Sequence, residues 1–228
     1  MDTSLPAARS RPILGLFGGK VQPMPGDGRP TAIFKQPLAG RVRVGPEGFE
    51  DDDRQADRRV HGGPEKALHH FPLDSHRRLA QAFPEQAAQF GAGAIGENIS
   101  TEGLDEASVC IGDVYALGSA RVQLCQPRSP CWKIDAKFGR EGITAHIFEQ
   151  GMAGWYYRVL APGMVQAGDA FELLERSDDA PSLAQLWALS RQARPPLELL
   201  QRAAQAPGLA GNWQRKLNQR LDWLRKNA

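Results

Sequence analysis

The sequence predicts a mainly β fold: a closed or nearly closed barrel-like domain with a few helices, followed by a small three-helix appendage. Two observations carry this expectation. From Ile13 to Gly45, and again from Ser108 to Leu174, short apolar or β-branched runs are separated by Gly and Pro, the texture of strands joined by turns. Beyond Arg176 the apolar residues recur at steps of three and four, the period of amphipathic helices. The expected division is residues 1–176 and 177–228.

In chain order, residues 1 to about 11 read as a loose tail, because the apolar run Ile13–Phe17 is short, ends at Gly18-Gly19 and lacks a small-x-small cleavage pattern. The runs ILGLF, TAIF and RVRV give strands, with Pro25-Gly26-Asp27-Gly28 as a turn. A helix is expected over Asp74–Phe83, capped by Asp74 or Ser75 and stopped by Pro84. The Ser108–Gln126 block, in which Val122 and Leu124 alternate with polar residues, forms a hairpin that turns within Ala116–Ala120. A second helix follows over Ile143–Glu149, then strands over Trp155–Leu160 and Ala170–Leu174, split by the turn formers Ala161-Pro162-Gly163 and Gly168-Asp169. So few helices among so many strands argue against a βαβ array.

Ser177–Pro181 reads as a linker. Three apolar faces follow it: Leu183, Leu186 and Trp187; Leu197, Leu200 and Ala204; and Trp213, Leu217, Leu221 and Leu224. Pro195-Pro196 and Pro207-Gly208 separate them into three helices, since proline cannot continue a helix.

Composition narrows the function classes. The chain has 228 residues, 41% hydrophobic and 24% charged, ordinary globular usage that needs no disulfide or metal staple. A net charge of +2 argues against a general electrostatic grip on nucleic acid. No apolar run approaches the ~20 residues of a membrane span. Cys110, Cys125 and Cys131 are odd in number, without a secretory leader, which reads as reduced thiols in a cytoplasmic protein. Without Cys-x-x-Cys or paired Cys/His spacing, a closed zinc site has no support.

Three clusters could carry chemistry. In Arg59–His70, the pair Gly62-Gly63 allows close backbone approach, and its N–H groups with Lys66 could hold an anion such as a phosphate; the same residues also read as a tight turn leading to a surface helix with solvated histidines. In Gly96–Thr101, Glu97 and Asn98 could hydrogen-bond a heterocycle or simply their own backbone. In Gln126–Lys133, Cys131 follows a proline-stiffened loop and has Arg128 and Lys133 nearby, cations that favour a thiolate and hence a soft metal ligand. The alternative is a buried structural cysteine, the reading given to Cys110 and Cys125.

The ordered set changes the balance. Lys35-Gln36-Pro37, Asp51–Asp57, Arg59–Pro64, Phe83–Gln86, Gly96-Glu97-Asn98, Gln126–Cys131, Gly154-Trp155-Tyr156 and Ala161-Pro162-Gly163 together resemble bacterial members of the MOSC family over about Ile13–Leu174, and the terminal helices resemble the "3-alpha" appendage of one subfamily. The resemblance implies a MOSC β-barrel-like domain that binds a molybdenum–molybdopterin cofactor, with Cys131 as the protein ligand to molybdenum. It implies reduction of N-hydroxylated substrates such as hydroxylaminopurines, a detoxifying reaction. His61, Gly62, Gly63, Glu97 and Asn98 match family segments and are expected at the cofactor; Lys35, Lys66 and Arg128 are assigned to the pterin phosphate on charge and motif position.

Removing an N–OH oxygen takes two electrons, which no side chain supplies catalytically, so a redox metal must carry that step, with His61 or His69 as proton donor. The chain has no Gly-x-Gly-x-x-Gly placed after a strand and no flavin or iron–sulfur signature, so a separate reductase is expected as electron donor. The basic residues Arg215, Lys216, Arg220, Arg225 and Lys226 offer it a docking site, or are a solvated face. Two other functions compete: a carrier that holds the cofactor, or sulfur on Cys131, without turnover, and a Cys131/His61 hydrolase.

Overall fold

The computed structural model describes residues 10–50 and 61–227. Its strands are β1 (Ser10–Pro12), β2 (Gly15–Gly18), β3 (Gln22–Pro23), β4 (Pro30–Thr31), β5 (Gln36–Pro37), β6 (Val42–Gly45), β7 (Gly48–Phe49), β8 (Leu68–His70), β9 (Ile99–Ser100), β10 (Val114–Leu117), β11 (Ala120–Pro127), β12 (Trp155–Ala161), β13 (Gly163–Val165) and β14 (Ala170–Glu175). Nine of them make one curled half-barrel sheet in the order β1-β14-β10-β11-β12-β8-β9-β2-β5. All neighbours in it run antiparallel except β8 and β9. A three-stranded sheet, β13-β6-β7, and a β3-β4 hairpin complete the strands.

The alternation read along β11 puts Val122 and Leu124 fully inside and Arg121 outside. Gly118 (φ 59°) and Ser119 form the two-residue loop of the β10-β11 hairpin, within the turn the sequence marked. Tyr115 stacks on Phe171 at 4.4 Å inside the sheet. The mainly β expectation therefore holds, with several local corrections.

Residues 10 and 11, expected in the loose tail, pair with β14 instead. Of TAIF only Thr31 is in a strand, and β13 occupies the end of an expected turn. Helix α1 (Leu73–Ala82) begins one residue early with Pro72 at the cap, and Asp74 sits in the first turn, accepting the Gly103 N–H at 2.7 Å. Helix α2 (Lys133–Phe138) was not expected; at six residues it is too short to show a period. Helix α3 (Ile143–Gln150) falls where it was read. The tail residues 1–9 and the Asp51–Asp57 and Arg59-Val60 motifs lie outside the described residues.

The largest correction is β8. Leu68–His70, read as a turn entering a surface helix, is a strand buried between β12 and β9. Three residues show no period, and two adjacent histidines look solvated. His70 is nevertheless fully buried because Tyr157 Oη (3.1 Å) and Thr101 Oγ1 (2.9 Å) partner both ring nitrogens.

The C-terminal helices are α4 (Leu183–Arg191), α5 (Leu197–Ala204) and α6 (Gly211–Lys226). Ser182 and Gln185 form a capping box at α4. The apolar stripes Leu183/Leu186/Trp187, Leu200/Ala204 and Trp213/Leu217/Leu221/Leu224 join Val109, Ile111, Val122 and Leu124 in one contiguous core. Among the described residues no helix is long and apolar enough to cross a membrane.

Candidate functional site

Segments distant in the chain meet at one cleft. The wall from the first cluster carries His61, Gly62 and Lys66; the floor from the third carries Arg128, Cys131 and Lys133. Gly96, Asn98, Thr31–Ile33 and Tyr156 close the remaining sides. Among the described residues no carboxylate lines the cleft.

Cys131 is partly exposed here, unlike the buried Cys125. Its loop is held at both ends: Arg128 N–H donates to Gly154 C=O (3.0 Å), and Cys131 C=O accepts from Ile134 N–H (3.0 Å) and Thr144 Oγ1 (3.2 Å). Burial pushes the Cys125 thiol up to about 12, which fits the structural role expected for it. Cys110, half-buried beside the Arg176–Asp113 pair, is also pushed up by burial.

Arg128 is the most unusual cation. Only 6% exposed, it donates Nη2 to Ile95 C=O at 3.4 Å, while Nη1 is buried with no acceptor in the polypeptide. A buried guanidinium nitrogen left unpaired is costly. Lys66 is half-buried, and burial lowers its pKa against the opposing pull of Cys125 and Glu65. Lys133 donates to Pro30 C=O at 3.3 Å.

The Gly96-Glu97-Asn98 segment works mainly by building the cleft. Glu97 is fully buried, and its carboxylate accepts from Gly93 N–H (2.6 Å), Ile95 N–H (3.0 Å) and His76 Nε2 (2.6 Å). Gly91–Gly96 has the spacing of a dinucleotide loop, but it follows a 3-10 helix (Pro84–Gln89) and spends two of its N–H groups on that carboxylate. Asn98 lines the cleft and also splices strands: its Oδ1 accepts from His69 N–H (3.0 Å) and its Nδ2 donates to Phe17 C=O (3.1 Å). Lys137 of α2 bridges two walls by donating to Ala94 C=O (2.6 Å) and Ile33 C=O (3.3 Å). Burial lowers its pKa to about 8.

His69 lines the cleft. Its ring is buried against Tyr156, with Nε2 3.2 Å from Ala153 C=O, so Nε2 carries the proton. Burial, then the Arg128 charge, hold its pKa well below the ordinary histidine value, only partly offset by the Ala153 and Gly96 carbonyls. The ring is therefore held toward its neutral form, with Nε2 donating to Ala153 C=O. Gly154 explains the tight fit: at φ 71° a Cβ there would lie 2.1 Å from His70 C=O.

Of the expected residues, the cleft gathers Cys131, His61, Gly62, Lys66, His69, Asn98 and Arg128. Lys35, Gly63 and Glu97 do not line it. Lys35 is buried, with its stem beside Gly19. Sequence reasoning missed Thr31 and Tyr156, and saw Lys133 only as a neighbour of Cys131; Tyr156 stood within a quoted motif, whereas nothing marked Thr31.

A family model described as MOSC domain matches residues 57–172. Protein YiiM of Escherichia coli (strain K12) is 43% identical over 164 residues, 72% of each chain. The chain belongs to the MOSC-domain family. A crystal structure of YiiM from Geobacillus stearothermophilus matches this MOSC protein with a TM-score of 0.78 and 30% identity, over 93% of this chain and 99% of that one. A protein named Reductase from Gibberella moniliformis (strain M3125 / FGSC 7600) is 32% identical over 163 residues, 71% of this chain but 27% of that protein.

Membership associates the protein with the molybdenum cofactor at the level of the family. The residues present fit that group. The partly exposed Cys131 lines the cleft together with Arg128, whose buried Nη1 lacks an acceptor, and the cofactor combines a thiophilic metal with a phosphate.

Proposed function

We propose that this MOSC protein is an oxidoreductase that holds the molybdenum cofactor in the Cys131 cleft and reduces N-hydroxylated compounds, hydroxylaminopurines among them. The observation that carries the reading is that Arg128, whose buried Nη1 has no acceptor, and the partly exposed Cys131 line the same cleft. Cys131 would ligate the metal; Arg128, Lys66 and Lys133 would hold the phosphate; His61, Gly62 and Asn98 would line the bound group. When bound, the cofactor supplies the two electrons that convert an N–OH group, with two protons, into N–H and water.

The chain's own part is to bind, orient and protonate. His61, which lines the cleft, would deliver the proton. Electrons would arrive from a separate reductase, a reading supported by the match to one portion of a much longer protein named a reductase. Reduced thiols agree with a cytoplasmic setting.

The test is metal analysis and turnover on protein made in cells competent for molybdenum-cofactor synthesis. Wild type should retain molybdenum and form the amine from a hydroxylaminopurine with an artificial donor, and Cys131→Ser should lose both together. Bound molybdenum without turnover would instead identify a carrier, and activity lost with molybdenum retained would remove Cys131 as the ligand.

A further inference from the structure

Helix α6 is the longest helix among the described residues, yet its own sequence brings no charge to its start, where Asn212 Oδ1 accepts from Trp213 N–H at 2.8 Å. Ala210 at the cap has no side-chain acceptor, and no acidic residue lies in the first turn, where unpaired N–H groups and the helix dipole favour a negative charge. That charge comes from 146 residues away. Gly211 N–H donates to both Glu65 carboxylate oxygens, at 3.0 and 3.2 Å, and Arg158 Nη2 donates to Oε1 at 2.9 Å.

The other end of Glu65 is fixed as firmly. Its C=O accepts from Gln126 Nε2 (2.7 Å) and from the Cys125 thiol (3.1 Å). Asn212 Nδ2 donates to Gln126 Oε1 (3.2 Å), and Ala210 N–H to Cys125 C=O (2.8 Å). Glu65 is also the middle residue of the 3-10 turn Pro64–Lys66, whose last residue faces the cleft and whose start follows His61-Gly62-Gly63. We infer that Glu65 is a positioning residue: by capping α6 from across the chain, its carboxylate makes the C-terminal helices part of the scaffold that sets Lys66 and the His-Gly-Gly segment against an anionic ligand.

The inference deepens the proposed function and rests on it for the identity of the ligand as an anion. The Glu65 side chain is 41% exposed, and ion pairs so exposed contribute little to global stability. Its contribution is therefore local geometry. Charge alone makes the opposite prediction: deleting a carboxylate one residue from Lys66 should strengthen anion binding, whereas deleting a positioning residue should weaken it.

Two measurements on the full chain free of cofactor decide the matter. In amide hydrogen exchange, Glu65→Ala should speed exchange at least tenfold both at Gly211–Trp213 and at Lys66-Ala67. Arg220→Ala, which cuts the tie from α6 to Ser190 C=O, should speed exchange in the helices and leave Lys66-Ala67 unchanged. In titration with inorganic phosphate, Glu65→Ala should bind at least fivefold more weakly than wild type, with Glu65→Gln between them.

Exchange confined to the first turn of α6, or phosphate bound as tightly or more tightly by Glu65→Ala, would overturn the inference. Phosphate bound equally by wild type and Arg128→Met would instead sink the anion reading of the cleft, while the exchange pattern would still decide what Glu65 does.

Discussion

Arg128 holds a position that stability alone does not explain. Its guanidinium is buried with one nitrogen unpaired, and a lone buried donor without an acceptor costs about 1–3 kcal/mol, more when charged. A side chain kept at such a cost accords with the ligand role proposed for Arg128. Arg128→Met should accordingly leave the thermal midpoint equal to or above that of wild type while weakening phosphate or cofactor binding tenfold or more, about 1.4 kcal/mol; a large fall in midpoint with unchanged binding would make Arg128 a structural residue. The sequence could mark Arg128 and Cys131 because their chemistry is written in residue type and in proline-stiffened spacing. It could not distinguish Glu97, spent on Gly93 and Ile95, from a ligand-facing carboxylate, because burial depends on partners such as His76 that only the fold supplies. Lys35 likewise lies outside the cleft lining: charge is legible in a sequence, but place in the fold is not.

At the scale of elements, strands with alternation over several residues were legible, as β11 and its hairpin with β10 show, and so were the stripes of the C-terminal helices except Leu197, which is exposed. β8 and α2 were not, since each is shorter than the period that would reveal it. Both are held by contacts made elsewhere, β8 by its neighbours in the sheet and α2 by the loop that presents Cys131. The turn at Asp105–Ser108 shows how such contacts carry a pH dependence. Glu106 is 7% exposed, accepts from Gly154 N–H at 2.9 Å through Oε1, and lies behind the segment that supports Arg128 and His69. Burial pushes its pKa up from 4.5 to about 7. A carboxyl raised on folding binds more protons in the native than in the unfolded state between those values, so its penalty is absent at low pH, grows as pH rises from 4.5 to 7, and is complete above that. Glu106→Gln keeps the acceptor for Gly154 and removes the charge. It should therefore be more stable than wild type at pH 8, by up to about 3 kcal/mol, and equal to it near pH 4.5. Urea denaturation at the two pH values measures this, and a gain of the same size at both would show that ionisation is not the cause.

For the molecule as a whole, the change of texture after Arg176 marks a change of secondary structure within a shared core. Leu183, Leu186, Trp187, Leu200 and Trp213 are buried in the same cluster as Val109, Ile111 and Leu124. The backbones interlock too: Ile111 N–H donates to Pro181 C=O (3.0 Å), Leu183 N–H to Val109 C=O (3.0 Å), Ala184 N–H to Glu106 C=O (2.7 Å) and Ala210 N–H to Cys125 C=O (2.8 Å). A chain ending at Arg176 would lose all four and expose the apolar surface beneath α4 and α6. Each large side chain stripped of its cover costs roughly 1.5–3 kcal/mol, and a handful of them approaches the about 5–15 kcal/mol by which a domain is stable. The fragment 1–176 should therefore melt at least about 15 °C below the full chain, by circular dichroism, or aggregate on size exclusion, and it should bind no phosphate at the cleft. The converse fragment, 177–228, would carry helices whose stripes face the absent sheet and should show little cooperative melting. If 1–176 melted as the full chain does, the helices would be an independent module hung on a complete barrel, and the route from α6 through Glu65 to the cleft would have no structural basis.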